Sequence, residues 1–281
     1  MLEGIRANRS GDELVNQDVI IQCKDDIELA AYPTKPAVEH GTDSMVTEIK
    51  KRAKIIEKHH EILIATRQCG LLIILQGMDA AGKDGTTKHI ASNLNPIGTI
   101  INSFKVPNED EREHDYLWRV HNRVPARGEV GIFNRSHYED VLVPMVTNEI
   151  TAKTCQKRYR QINDFEKMLV ENDIIVIKLF LHISKSEQKT RLEKRLRKPQ
   201  KQWKFSMADL EARKKWGDFS CIYEETLSKT STSHAPWHII PADDKLYRNY
   251  LVSRLLLEVF ESLNLNYPDL DQTLKDIVIE D

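Results

Sequence analysis

Gly77, Gly82 and Lys83 stand in the stretch GMDAAGKDG with four residues between the glycines. That spacing suits a loop whose backbone N–H groups wrap a phosphate while the lysine reaches across it. The next position departs from the pattern: a hydroxyl there normally holds magnesium, and this sequence has Asp84 instead, with a second carboxylate, Asp79, between the glycines. Magnesium takes one or two carboxylates together with phosphate oxygens and water, so Asp79 is the expected metal ligand. Asp84 is either a second ligand or a negative charge set favourably against a helix N-terminus. Backbone N–H groups over Ala80, Ala81, Gly82, Asp84 and Gly85 are expected to cradle the anion, with Lys83 bridging it.

A second group of candidates follows an apolar run in RGEVGIFNRSHYEDVLVPMV, residues 127–146. Ligands of open α/β sheets collect at the carboxyl ends of strands. Asn134 stands where a P-loop enzyme often has an aspartate, and Arg135 after it is read as a phosphate clamp, its alternative being a surface salt bridge. His137 is read as a hydrogen-bonded structural residue before a catalytic base. A third group is KTRLEKRLRKPQKQWK, residues 189–204, with eight basic residues against the single acid Glu193. Helical spacing predicts one face bearing Arg191, Arg195 and Lys198, with Lys201 farther along and Pro199 breaking the helix. The segment reads as a mobile lid whose cations track a polyanion; a solvated basic helix or a nucleic-acid patch is the alternative.

These residues need a scaffold, and the chain supplies one. Five apolar runs, at 71–75, 99–104, 129–134, 174–183 and 237–242, alternate with helical patterns, which predicts a parallel sheet covered on both faces. An amphipathic helix with Val46, Ile49, Ala53, Ile56, His60, Leu63 and Ile64 is expected to stop at Gly70. Tyr116, Leu117, Val120 and Val124 suit a core-facing stripe, with Arg112, Arg119 and Arg123 turned elsewhere. Leu210, Trp216, Tyr223 and Leu227 read as buried, their aromatics as core or oligomer interface before base stacking, and Asp209 with Arg213 as a structural i,i+4 pair. With 281 residues and 40% hydrophobic content the chain can bury one large α/β core, and a net charge of −2 gives no global field towards nucleic acid or membrane. Cys23, Cys69, Cys155 and Cys221 lack metal-ligand spacing and are expected as reduced, buried thiols. No apolar h-region or membrane-length run is present, which predicts a cytoplasmic protein.

Taken together, GMDAAGKDG, SFKVPNEDEREHDYLWRVHNRVPARGEVGIFNRSHYEDVLV, FLHISKSEQKTRLEKR and PWHIIPADDKLYRNY resemble the polyphosphate kinase 2 family over roughly residues 45–265. The resemblance implies a three-layer P-loop kinase-like fold, similar to thymidylate kinase, in which a five-stranded parallel sheet has helices on both faces and a helical lid. It implies reversible phosphoryl transfer from inorganic polyphosphate to AMP and/or ADP, giving ADP or ATP, with magnesium, or manganese in its place. Asp79 within the loop then looks like a metal-site residue, and Arg119 like a phosphate contact. Asp84 and Asn134, in place of glycine and aspartate, look like the AMP- and ADP-accepting subgroup, class III; GDP and GTP are further candidates. Residues 1–43 are expected as a surface or oligomer extension and 44–281 as the kinase core, with the lid at about 189–215. A homo-oligomer, dimer or tetramer, is expected, without nucleic-acid or membrane partners.

Two other classes of function use the same features. An ATP-dependent P-loop kinase of a nucleotide or small metabolite would share the loop without needing so dense a basic segment. A basic-patch binding module would leave a complete P-loop idle.

Overall fold

The computed structural model describes residues 21–22, 26–37, 41–269, 277 and 279. Along the chain run β1 (Ile21–Gln22), α1 (Thr42–Thr66), β2 (Gly70–Gln76), α2 (Lys83–Ala91), β3 (Thr99–Ser103), α3 (Glu109–Glu113), α4 (Trp118–His121), β4 (Val130–Asn134), α5 (Glu139–Val146), α6 (Ala152–Glu171), β5 (Ile174–His182), α7 (Lys185–Arg197), α8 (Pro199–Gln202), α9 (Met207–Lys214), α10 (Trp216–Thr230), β6 (Trp237–Pro241) and α11 (Lys245–Ser262). The sheet order is β1-β6-β5-β2-β4-β3, with all neighbours parallel except β1, which pairs antiparallel to β6. The five expected strands are present, and β1 adds a short sixth at one edge. Helices α1, α2 and α11 associate on one face and α5, α6 and α10 on the other, so β2 is buried on both sides and Leu71 to Leu75 are fully inaccessible. That is why the strand is apolar without alternation.

From β2 the chain moves first to one side of the sheet and then to the other, so the carboxyl end of β2 is a switch point where a ligand crevice forms. Register sets the crevice: Leu75 on β2 lies opposite Asn134 on β4, and Asn134 opposite Ser103 on β3. Ser184 caps α7 by accepting from the Glu187 N–H, and Asp244 caps α11 by accepting from the Tyr247 N–H.

Several expectations are corrected. α1 ends at Arg67 in the left-handed region (φ 50°), whereas Gly70 opens β2, where a Cβ would lie 2.7 Å from the Ile174 side chain and 2.8 Å from the Ala126 carbonyl. Gly70 therefore serves close strand packing, not helix termination. Cys69 and Cys155 are buried but Cys221 is exposed, and Cys23 lies outside the described residues. Asp209 pairs with Arg195, while Arg213 donates to the Lys185 carbonyl and Gln188. α7 stops at Arg197 because Lys198, preceding Pro199, is extended (φ −104°, ψ 111°). The face of Arg191, Arg195 and Lys198 therefore does not form as one stripe. Residues 26–37 lie against this core, with Leu29 donating its N–H to Glu224 and Thr34 hydrogen-bonded to Asp243. No helix among the described residues is long and apolar enough to cross a membrane.

Candidate active site

β2 delivers the chain into a loop with three positive φ angles, at Gly77 (148°), Ala80 (63°) and Gly82 (109°). A Cβ at Gly77 would lie 2.6 Å from the Leu181 carbonyl, so a side chain is excluded there on space as well as conformation. α2 begins at Lys83 with no side-chain cap, which leaves its first N–H groups for an anion. Gly82, Lys83 and Asp84 donate their N–H to no backbone carbonyl among the described residues, whereas the Ala81 N–H is spent on the Met78 carbonyl at 3.0 Å. The expected cradle therefore loses Ala81, while the Ala80 and Gly85 N–H groups, like those three, are given to no backbone carbonyl among the described residues. The Lys83 ammonium is buried and donates to the Gly77 and Met78 carbonyls at 2.6 and 3.2 Å. Burial lowers its pKa, with the Asp79 carboxylate pulling the other way.

Asp79 accepts a hydrogen bond from Arg135 at 3.1 Å, and Arg135 also faces Glu139 at 3.7 Å. Arg135 is held in the left-handed region (φ 66°) directly after β4, and this turn aims its guanidinium over the loop. Burial pushes the Glu139 carboxyl upward, against Arg135 and Lys83. Asp84 accepts from Asn134 at 3.0 Å and from Lys204 at 2.6 Å. Burial works to raise its pKa, but these two hydrogen bonds outweigh it and the carboxyl titrates below its ordinary value. Asn134 thus touches Asp84 across the gap between α2 and β4, and the neutral group and the carboxylate have traded places relative to the usual P-loop pattern.

The remaining candidates divide. Arg119 is buried and tied to the Lys105 carbonyl and Asp140 at 2.8 and 3.0 Å, far from a free phosphate contact. His137 is buried against Glu166, which Lys178 and Tyr138 also hold, at 2.6 and 2.7 Å; it is structural. Arg191 and Arg195 are consumed by protein groups: Arg191 by backbone carbonyls of the loop, Arg195 by the Lys204 carbonyl and Asp209. Lys198 and Lys201 are exposed. A cleft opens over Asp79 and Arg135 between α5 and the α9–α10 segment, walled by Leu142, Val143, Trp216 and Phe219 with Tyr223 beside them. Trp216 and Tyr223 therefore line a small cleft beside the loop, a place the helical pattern alone did not favour. Gln188, which donates to the Asp79 carbonyl at 3.0 Å, Lys245 and Arg248 also lie beside the loop and were passed over in the sequence, whereas Lys204, read there as a lid cation, pairs with Asp84. Arg248 and Lys245 sit in DDKLYRNY, a motif useful for resemblance but with no spacing rule to mark its cations.

Comparison with known proteins agrees with this geometry. The family model described as Polyphosphate kinase 2 matches residues 41–267. An AMP/ADP-polyphosphate phosphotransferase from Meiothermus ruber is 47% identical over 244 residues, which are 87% of this chain and 91% of that protein. An ADP-polyphosphate phosphotransferase from Rhodopseudomonas palustris is 39% identical over 86% of this chain and 89% of that protein. The crystal structure of polyphosphate kinase 2 from Arthrobacter aurescens TC1 superimposes with a TM-score of 0.86 at 37% identity, covering 90% of this chain and 93% of that one. With these matches spanning loop, crevice and lid alike, the chain belongs to the polyphosphate kinase 2 family.

Proposed function

We propose that the chain transfers a phosphoryl group reversibly between inorganic polyphosphate and AMP or ADP. The observation that supports this best is a surplus of cations behind and beside the P-loop. Lys245 feels, after its own partial burial, the positive charge of Arg191, Lys194, Lys201 and Arg248, and its ammonium pKa is lowered accordingly. Like charges gathered this way repel unless a polyanion runs among them. A nucleotide donor needs only a few such contacts; a phosphate chain can meet Lys194, Lys201 and Lys245 together, while Arg191 and Arg248 stay on the loop carbonyls. A phosphate of the acceptor would face Arg135 at the small cleft above Asp79.

Phosphoryl transfer passes through a loose transition state, so the protein positions two oxyanions in line and stabilises spread charge. Lys83 and Arg135 supply that charge, and the N–H groups of Gly82, Lys83 and Asp84 orient the donor. No side chain has to remove a proton, because the acceptor phosphate is ionised near neutral pH, which agrees with the buried, structural His137. The donor set fits magnesium: the carboxylates of Asp79 and Asp84 are hard oxygen donors, and such an ion takes one or two of them with water and substrate phosphates. Asp79 and Asp84 would hold magnesium, which would supply positive charge to neutralise the reacting phosphates.

The assay is AMP or ADP with polyphosphate and magnesium, no ATP present. ADP and then ATP should accumulate, and ATP alone should yield phosphate polymer, since one phosphoanhydride is exchanged for another. Turnover with ATP and a small metabolite, but none with polyphosphate, would replace this reading by an ordinary kinase.

A further inference from the structure

Arg191 stands on α7 behind the phosphate loop. Its five N–H donors are all engaged: Nε on Glu187 at 2.6 Å, Nη1 on the Ala80 and Ala81 carbonyls at 3.0 and 2.7 Å, and Nη2 on the Ala242 and Asp243 carbonyls at 2.5 and 2.8 Å. One guanidinium thus ties the lid helix, the loop after β2 and the loop after β6. Arg248 of α11 approaches from the same side, with Nη1 at 3.4 Å from the Gly82 carbonyl. A Cβ at Gly82 would come within 2.3 Å of the Arg248 Nη1 and 3.4 Å of the Arg191 Nη1. Both arginines are buried, at 8% and 3% exposure, and burial with the neighbouring Arg191 charge brings the Arg248 pKa down to about 10.

A trans peptide points its carbonyl and its N–H in opposite directions. The units joining Ala81 to Gly82 and Gly82 to Lys83 turn their carbonyls to the arginines, so their N–H groups, which have no backbone acceptor among the described residues, face the other side. A cation on the carbonyl both fixes the peptide plane and polarises the N–H towards an anion. We propose that Arg191 is a positioning residue which, with Arg248, braces the phosphate loop from its carbonyl side and sets the loop's affinity for the donor's terminal phosphates without touching the substrate. This rests on the loop being the phosphate cradle of the proposed reaction.

The test is calorimetric binding of tripolyphosphate and of long-chain polyphosphate to wild type, Arg191→Lys, Arg191→Met and Lys83→Ala, with steady-state kinetics alongside. Both Arg191 variants should weaken both polymers by the same factor, about tenfold or more, because the loop meets the same few phosphates at any chain length. Lysine should not rescue, since three donors on one atom cannot replace a planar fork. The donor KM should rise while the acceptor KM stays unchanged. Rescue by lysine, or a loss that grows with chain length, would mean that Arg191 touches the chain directly and would overturn the proposal. So would wild-type affinity in a variant that merely melts earlier. If Arg191→Met does not fold, Arg248→Gln gives the same readout with a smaller loss, and an effect of chain length there overturns the proposal equally. If wild type binds no tripolyphosphate, or Lys83→Ala binds it unchanged, the reading of the loop itself fails, and that outcome is distinct from unaffected Arg191 variants.

Discussion

The basic segment after β5 contains cations with opposite fates. Arg191 and Arg195 face inward and are used up by carbonyls and carboxylates of the protein itself, whereas Lys194, Lys198 and Lys201 are exposed and have no ion-pair partner among the described residues. Arginine's planar fork suits fixed, multidentate anchoring, and lysine's mobile, hydrated point charge suits a polyanion that slides. A run that reads as one cationic track is therefore an architectural layer beneath an adaptable one. The inner layer should act on the chemistry and on short substrates, and the outer layer on long chains.

The largest expected effects test the inner layer at the loop. Lys83→Ala should lower kcat by about a hundredfold or more, on the order of 3 kcal/mol of lost charge stabilisation, for short and long polyphosphate alike; near-wild-type turnover would remove Lys83 from the site. Asp79→Asn should reduce magnesium-dependent turnover by about the same order, because an amide is a poor ligand for a hard cation. It also weakens the grip on Arg135, so the fold should persist while activity does not return with excess magnesium. Full recovery at high magnesium would argue against the role of the carboxylate.

A smaller effect sharpens the comparison from the outer side. Charge reversal at Lys194, Lys201 and Lys245 together should raise the KM for long polyphosphate by about tenfold and that for short chains less. The AMP KM should stay level, because each cation neutralises only one or two phosphates and is screened over about 10 Å at 0.1 M salt. Raising salt on wild type should move the two KM values apart in the same sense. Equal effects on both substrates would erase the distinction between the layers.

The smallest effect on activity comes from a group remote from both layers and serves as their control. His238 on β6 is buried, and burial followed by the nearby Lys178 lowers its pKa from 6.5 to about 4. The folded protein keeps it neutral where the unfolded chain would protonate it. Its contribution is therefore fully present above pH 6.5 and is lost as the pH falls towards 4, up to about 3 kcal/mol. His89, lowered to about 4 by burial and then by Arg248, acts in the same window. Thermal melts from pH 7 to 4 should show a steep loss of stability that His238→Gln lessens, with kcat at pH 7 unchanged. An unaltered pH profile in that variant would show the histidine to be protonated in the fold.

The P-loop was legible because its requirement is local: an apolar strand, two glycines that must take positive φ, and a lysine, all within one short stretch. Arg135 was legible for a similar reason, following a strand whose carboxyl end had to lie in the crevice. Arg119 misled because a surplus of arginines near a phosphate site does not say which ones the protein spends on itself; its donors go to the Lys105 carbonyl and Asp140. The pairing of Asp209 with Arg195 in place of Arg213 has the same origin, since i,i+4 spacing permits a contact that a stronger tertiary partner then takes.

By itself, then, the sequence determined the alternation of buried strands and helices, the glycine-and-lysine loop with its aspartates, the break of the helix near Pro199 and the family. Each of these follows from neighbours along the chain, through periodicity, φ restriction or hydrogen bonds within a turn. Only the tertiary structure decided that Asn134 meets Asp84, that Lys204 closes on the same carboxylate, that Trp216 and Phe219 wall the cleft, and that Arg191 grips a loop 111 residues earlier. Those contacts depend on which distant backbones the core brings within reach, and a guanidinium in helical register carries no local mark of the carbonyls it will find.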